Sequence, residues 1–214
     1  MQLTDLMKKI LIIFLVFGIS CNNTSSKEES NKYEVVNILF NKYAKPIEPF
    51  FPPPNPGGEP FTAKDSLRIY KMIKEAKQEL KKKKFIIAVY PKLIPYDGGH
   101  YKYGSKKCIE YYGIMNKLMK LKDSSVIDLN NIISSKNDSI VPFSVDLLSK
   151  DTREFIKFDY LISFSPIAFN EDYTKSIVLV SGSRSKLSGS SDLYMLEKED
   201  GKWVIKCKIN LEIS

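Results

Sequence analysis

The most chemically varied stretch of this 214-residue chain is 95–104, Pro-Tyr-Asp-Gly-Gly-His-Tyr-Lys-Tyr-Gly. It carries the only histidine, His100, with Asp97 three positions before it and Tyr96, Tyr101 and Tyr103 around it. A carboxylate can orient an imidazole. Catalysis would also need a nucleophile, and no motif places a Ser or Cys beside the pair. Tyrosines on a glycine-rich loop suit another task, stacking on a sugar or anchoring a partner protein. Tyr96, Asp97, His100, Tyr101 and Tyr103 are therefore the candidate ligand- or partner-binding residues; the plainer alternative is an aromatic loop folded back on the core. A second stretch, 182–191, is rich in Ser and Gly and includes Arg184 and Lys186. It lacks the Gly-Lys-Ser/Thr ending and the following helix of a phosphate-binding loop. Backbone N–H groups with Arg184 and Lys186 could still hold an anion, although a mobile hairpin loop is the ordinary explanation.

Three cysteines are present. Cys21 belongs to the leader described below. Cys108 and Cys207 then form an even pair in an exported chain, where a disulfide can persist. Cys207 would also serve as a small hydrophobe on the apolar face of a strand, and sequence alone does not set the Cα separation a bridge requires. One His and two spare Cys do not supply ordinary zinc spacing. No metal or cofactor is expected and no catalytic residue is assigned, although carboxylates can converge in space. The net charge of +8 comes from 33 Lys+Arg against 25 Asp+Glu. The lysines are scattered and form no Arg-rich stripe, so a solvated basic surface is expected and nucleic acid is not.

The N-terminus reads as an export signal. Lys8-Lys9 precede the apolar run 10–17, which is too short to span a bilayer, followed by Gly18-Ile19-Ser20-Cys21. The small residues before Cys21 resemble a bacterial lipobox, in a looser form with Gly18 where Leu is usual. Cleavage after residue 20 would make Cys21 the lipid-bearing first residue and hold the folded part at a membrane surface. Residues 21–30 are polar and predict a flexible tether. Within them, Lys27-Glu28-Glu29 resembles the short export signal that sends lipoproteins to the outer leaflet of the outer membrane.

The elements that must position the candidate residues are legible in outline. Residues 31–43 predict a helix with Asn31 as cap and Tyr33, Val36, Phe40 and Tyr43 on one face. Residues 46–60 hold most of the chain's prolines and predict a rigid strap or linker. Thr62 and Asp65 form a capping box for a helix over 63–83, and 85–90 reads as a buried strand. Residues 105–121 predict a helix weakened by Gly113; 122–150 is the least legible segment. From 158 the period becomes two. Strands over 158–164, 176–181 and 193–199, and a last one after the Asp200-Gly201 turn, make an antiparallel meander. In the last strand Trp203, Ile205, Cys207, Ile209, Leu211 and Ile213 alternate with polar residues, which predicts a single inner face.

This C-terminal frame is similar to one found in small Bacteroidota (flavobacterial-type) lipoproteins. The residues that carry the likeness are Phe169-Asn170, the strand 175–180, the glycine-rich 182–189, Leu196 to Trp203 and the closing Ile213-Ser214, together with the leader. The resemblance implies an envelope lipoprotein and transfers no catalytic residue. The expectation is thus an α+β protein, with N-terminal helices packed on a curved antiparallel sheet ending in a four-strand meander. Its parts are a signal peptide (1–20), a tether (21–30) and one domain (31–214) with the strap at 46–60. Functionally, it predicts an outer-membrane, lipid-anchored module that binds a protein or glycan partner. Alternatives are an envelope inhibitor or immunity-type protein, and a hydrolase or isomerase with a pocket between sheet and helix.

Overall fold

The computed structural model describes residues 26–45, 62–98, 106–122, 124–150, 155–185 and 188–213. The signal peptide, Cys21, the strap 46–60, His100, Tyr101, Tyr103 and Lys186 lie outside the described residues.

The first helix, α1 (26–43), begins earlier than its capping signal suggested, so 26–30, expected as tether, form its first turns. Asn31 is not a cap. It is buried inside the helix, where its amide donates to the Lys27 carbonyl at 2.7 Å and accepts from the Trp203 indole at 3.2 Å. Val35, Val36, Leu39 and Phe40 are all fully buried, because α1 packs on the sheet along one side and on Ile127 and Ile132 along another. Asn37 and Asn41, one turn apart, pair with the backbone of 131–135 as a neighbouring strand would. Their amide groups donate to the carbonyls of Asn131 and Ile133, and their side-chain oxygens accept from the N–H groups of Ile133 and Ser135. With the Tyr33 hydroxyl accepting from the Asp128 N–H, these bonds satisfy a segment whose own pattern specifies no helix or strand.

The second helix, α2 (Ala63–Lys82), has the predicted capping box in place, Thr62 and Asp65 each bonding the other's backbone. Its face of Ile69, Ile73, Ala76 and Leu80 is only half-buried. Just past its end, Lys83 pairs with Asp159 at 2.8 Å. Strand β1 (Ile86–Val89) follows. A 3₁₀ turn, Lys106–Tyr111, kinked at Cys108, leads into α3 (Tyr112–Lys120), so the predicted helix forms in two pieces. The illegible segment contributes β2 (Ser139–Pro142). Then come β3 (Tyr160–Phe164), β4 (Ala168–Phe169), β5 (Lys175–Ser185), β6 (Ser188–Glu199) and β7 (Lys202–Ile213).

The α+β class holds, with one sheet ordered β2-β1-β3-β5-β6-β7 and β4 paired to β5. The meander β3-β5-β6-β7 is antiparallel throughout. The sheet as a whole is mixed, however, because β1 lies parallel to both β2 and β3. Parallel pairing requires a crossover long enough to return the chain to the same end; the long segment between β1 and β2, with α3 inside it, supplies one. Helices α1 and α3 cover opposite faces. Tyr160, Ile162, Val178, Val180, Tyr194 and Leu196 point to α1, while Ile177, Leu179, Leu193 and Met195 point to α3. Both parities of the central strands are therefore apolar.

This two-sided burial changes the reading of β7. Its register against β6 shifts between Met195 and Leu196, with Ile205 opposite Leu196 and Cys207 opposite Met195. The extra residue, Lys206, makes a β-bulge, and a bulge inverts which face the following side chains take. Trp203 and Ile205 join the α1 core; Cys207, Ile209 and Leu211 join the α3 core. The predicted single inner face is two half-faces on opposite sides of the sheet. At its start, Asp200 (φ +50°) and Gly201 (φ +78°) make the expected turn, both with the positive φ of a type I′ hairpin. The Ser/Gly stretch 182–191, expected as a loop, is mostly strand. Ser183 pairs with Gly189, and the Ser181 and Ser191 hydroxyls meet at 2.8 Å.

Candidate functional site

The tyrosine loop does not present Tyr96. Its ring is 4 % exposed and packs in the α3 core with Cys108 and Tyr111, so the plainer alternative wins for this residue. Asp97 is exposed; the rest of that candidate set lies outside the described residues. Cys108 and Cys207 are joined, with Cα atoms 6.2 Å apart, tying the 3₁₀ turn before α3 to the second half of β7.

The structure builds a concavity elsewhere, where the last turn of α1 meets the open ends of β3, β5 and β6. It is a cleft of about 380 Å³ whose lining includes Lys42, Tyr43, Arg184, Ser190, Asp192 and Lys208. Gly182 permits it. A Cβ there would meet the Tyr43 ring at 2.5 Å, so a side chain would displace that ring from its seat on β5. Tyr43 closes the floor, its hydroxyl 2.5 Å from Asp192 Oδ2 and 3.1 Å from the Val180 carbonyl. Asp192 is 3 % exposed and also accepts from Lys208 Nζ and Asn210 Nδ2, each at 2.8 Å. Lys208 and Asn210 face Asp192 because the Lys206 bulge has already inverted β7. Lys42 and Lys208 both approach the Tyr194 ring, their Nζ atoms 5.9 and 5.8 Å from its centroid. At the mouth, Arg184 donates to the Lys45 carbonyl at 2.9 Å and stacks over Tyr160 at 5.1 Å.

The electrostatics follow from that geometry. Burial alone would raise the Asp192 carboxyl, but the hydrogen bonds from Lys208, Tyr43 and Asn210 outweigh it and hold the group below its ordinary value. Burial and the bond to Asp192 push the Tyr43 phenol well above the usual tyrosine range. Burial would lower Lys208, but the bond to Asp192 outweighs it and raises the ammonium. Burial also raises Tyr160, against the pull of Arg184 beside it.

These directions set a pH dependence. A carboxyl held below its unfolded value of about 3.9 contributes stability above that pH and loses it as pH falls through the folded value. The raised Tyr43 contributes below its unfolded value of about 10, and the contribution fades as pH rises beyond it. Asp192→Asn is therefore expected to flatten the acid limb of the thermal-stability profile between about pH 2 and 6. Melting curves that run parallel to the parent across that window would show the carboxylate is not stabilising.

Of the sequence candidates among the described residues, Arg184 lines this cleft, together with Gly182, Ser183, Ser188, Gly189 and Ser190 of the Ser/Gly stretch. Tyr43, Asp192 and Lys208 carried no functional signal: Tyr43 reads as an apolar-face position of its helix, Asp192 falls between the Ser/Gly stretch and the next predicted strand, and Lys208 reads as a solvent-facing position of the last strand. Gly182 gave no clue either, because it reads as the start of a loop; only its place inside β5 makes it the kind of strand glycine that marks close approach of another element. Among the described residues, no three His, Cys, Asp or Glu side chains group as metal ligands, and no helix is long and apolar enough to cross a membrane. No family model matches the chain, and neither the curated proteins nor the solved structures contain a significant match to it.

Proposed function

We propose that the chain is an outer-membrane lipoprotein, held by a lipid on Cys21, whose domain is a non-enzymatic binding module for a glycan partner. The observation that carries this reading is the position of the cleft. Cys21 lies five residues before the start of α1, a reach of at most about 17 Å. The helix then runs about 27 Å to Tyr43, where the cleft opens. A lipid on Cys21 would thus hold the far end of the domain at the bilayer and leave the cleft facing outward. A concave, polar cleft of this size suits a sugar residue better than the flat surface of a folded protein. Its proton-bearing groups are engaged with each other: Asp192 accepts from Lys208, Tyr43 and Asn210. That arrangement fits holding a ligand better than moving a proton.

Two measurements test the reading. Cys21→Ala is expected to move the protein from the membrane fraction to the soluble fraction, and retention in the membrane would refute the anchor. The full-length lipoprotein in vesicles is expected to bind within a panel of neutral and acidic oligosaccharides. Ser188→Trp, which fills the cleft mouth from an exposed position, should abolish that binding; binding unaffected by the substitution would place the site elsewhere.

A further inference from the structure

The cleft's lining holds three cations, Lys42, Arg184 and Lys208, and one carboxylate, Asp192. The charges are not distributed evenly with depth. Asp192 is nearly inaccessible and is surrounded by its three donors. The Lys208 side chain remains 44 % exposed although it pairs with Asp192, and Lys42 and Arg184 are exposed at the rim. The negative charge is therefore sequestered at the floor and the positive charges reach the opening. Walls of low dielectric concentrate such a field in the space between them.

Arg184 is also held in place. Stacking on Tyr160 and a hydrogen bond to the Lys45 carbonyl hold its guanidinium in place, and that fork carries five N–H donors in all. A guanidinium held by a ring and a carbonyl is oriented before a ligand arrives, so less side-chain freedom is lost on binding. Ser183, Ser188 and Gly189 line the space beside it.

We propose that the group seated in this cleft is acidic: a carboxylate of a glycan, such as a uronic-acid residue, received by Arg184 and Lys42 with Lys208 behind them. The proposal rests on the cleft being the binding site. It adds that charge, and not sugar shape alone, selects the ligand. Charge-assisted bonds between a guanidinium and a carboxylate are the strong contacts of such a site.

The test compares trigalacturonate with its fully methyl-esterified form, titrated into the full-length lipoprotein in neutral vesicles. The two ligands share ring and hydroxyls and differ in charge. The acid is expected to bind at least about ten-fold more tightly than the ester, and to weaken as salt rises. Arg184→Gln and Lys42→Gln should each reduce binding of the acid several-fold and reduce binding of the ester by much less. Inorganic phosphate should compete at high concentration if the site reads charge.

The failures are distinguishable. If the ester binds as well as the acid and Ser188→Trp abolishes both, the cleft stands as the site and the acidic ligand is overturned. If the acid binds and none of Arg184→Gln, Lys42→Gln and Ser188→Trp alters it, the cleft reading falls as well. Absence of binding by the acid, together with no binding of phosphate, overturns the anion site outright.

Discussion

Trp203→Ala is expected to remove about 3–5 kcal/mol of stability, the range for deleting a buried tryptophan. The indole is 5 % exposed and lies 5.7 Å from the Phe169 ring, with the Lys198 ammonium 5.2 Å over it. Its N–H bonds to Asn31, which α1 holds in place through the Lys27 carbonyl. The substitution therefore opens a cavity between α1 and the sheet and also strips a buried amide of a partner. Whole-domain stabilities are only about 5–15 kcal/mol, so the loss should be large in a urea titration read by circular dichroism. Trp203→Phe separates the two effects. It keeps most of the packing and forfeits the hydrogen bond, at a cost of about 1–3 kcal/mol for the orphaned acceptor. A midpoint for Trp203→Ala close to that of the parent would mean that α1 is not docked on this sheet.

Loss of the Cys108–Cys207 bridge is the second large effect. The two residues are 99 positions apart in sequence. On the chain-entropy account, cross-linking a loop of about 100 residues disfavours the unfolded ensemble by about 4.7 kcal/mol. Cys108→Ala with Cys207→Ala is the cleaner form of the experiment, because Cys108 is fully buried and alanine adds no polar group there. The double variant and the reduced parent should melt at similar temperatures, both well below the oxidised parent. If reductant leaves the parent's melting temperature unchanged, the bridge contributes nothing to stability in solution. The location of the bridge makes its loss specific. It crosses from the turn before α3 to the part of β7 beyond the Lys206 bulge, so the α3 face should loosen first. Amide exchange in α3 would then rise ahead of exchange in α1.

The two predictions concern opposite faces of the sheet, and the alternation of β7 did not separate them. Trp203 and Cys207 have the same parity in sequence and read as neighbours on one face. A one-residue bulge sends them to different cores, and nothing local requires a bulge at Lys206. It is decided by the register that β6 and β7 adopt between α1 and α3, with apolar partners waiting on either side. Asn31 misled for a similar reason. A polar residue ahead of an apolar helical pattern is a good capping signal, and the residue that uses it instead lies 172 positions away. Tyr96 stood in a loop of polar and glycine neighbours, and its place in the core beneath α3 buries it. In the cleft, Arg184 was visible in its Ser/Gly context, whereas Tyr43, Asp192 and Lys208 come from three elements and meet only after the sheet forms.

What the sequence determined by itself is what short-range physics controls. The Thr62–Asp65 capping box, the Asp200-Gly201 turn, the apolar period of α1, and the run of antiparallel strands after 158 all depend on residues within a few positions of one another. Hydrogen bonds and sterics at that distance are the same in any fold. The tertiary structure alone decided that β1 lies parallel to β2 and β3, that the second half of β7 faces α3, and that a buried carboxylate sits beneath a cationic rim. Each of these is a relation between segments far apart in the chain. Their relative placement is set by the packing of both sheet faces at once, and no local pattern encodes it.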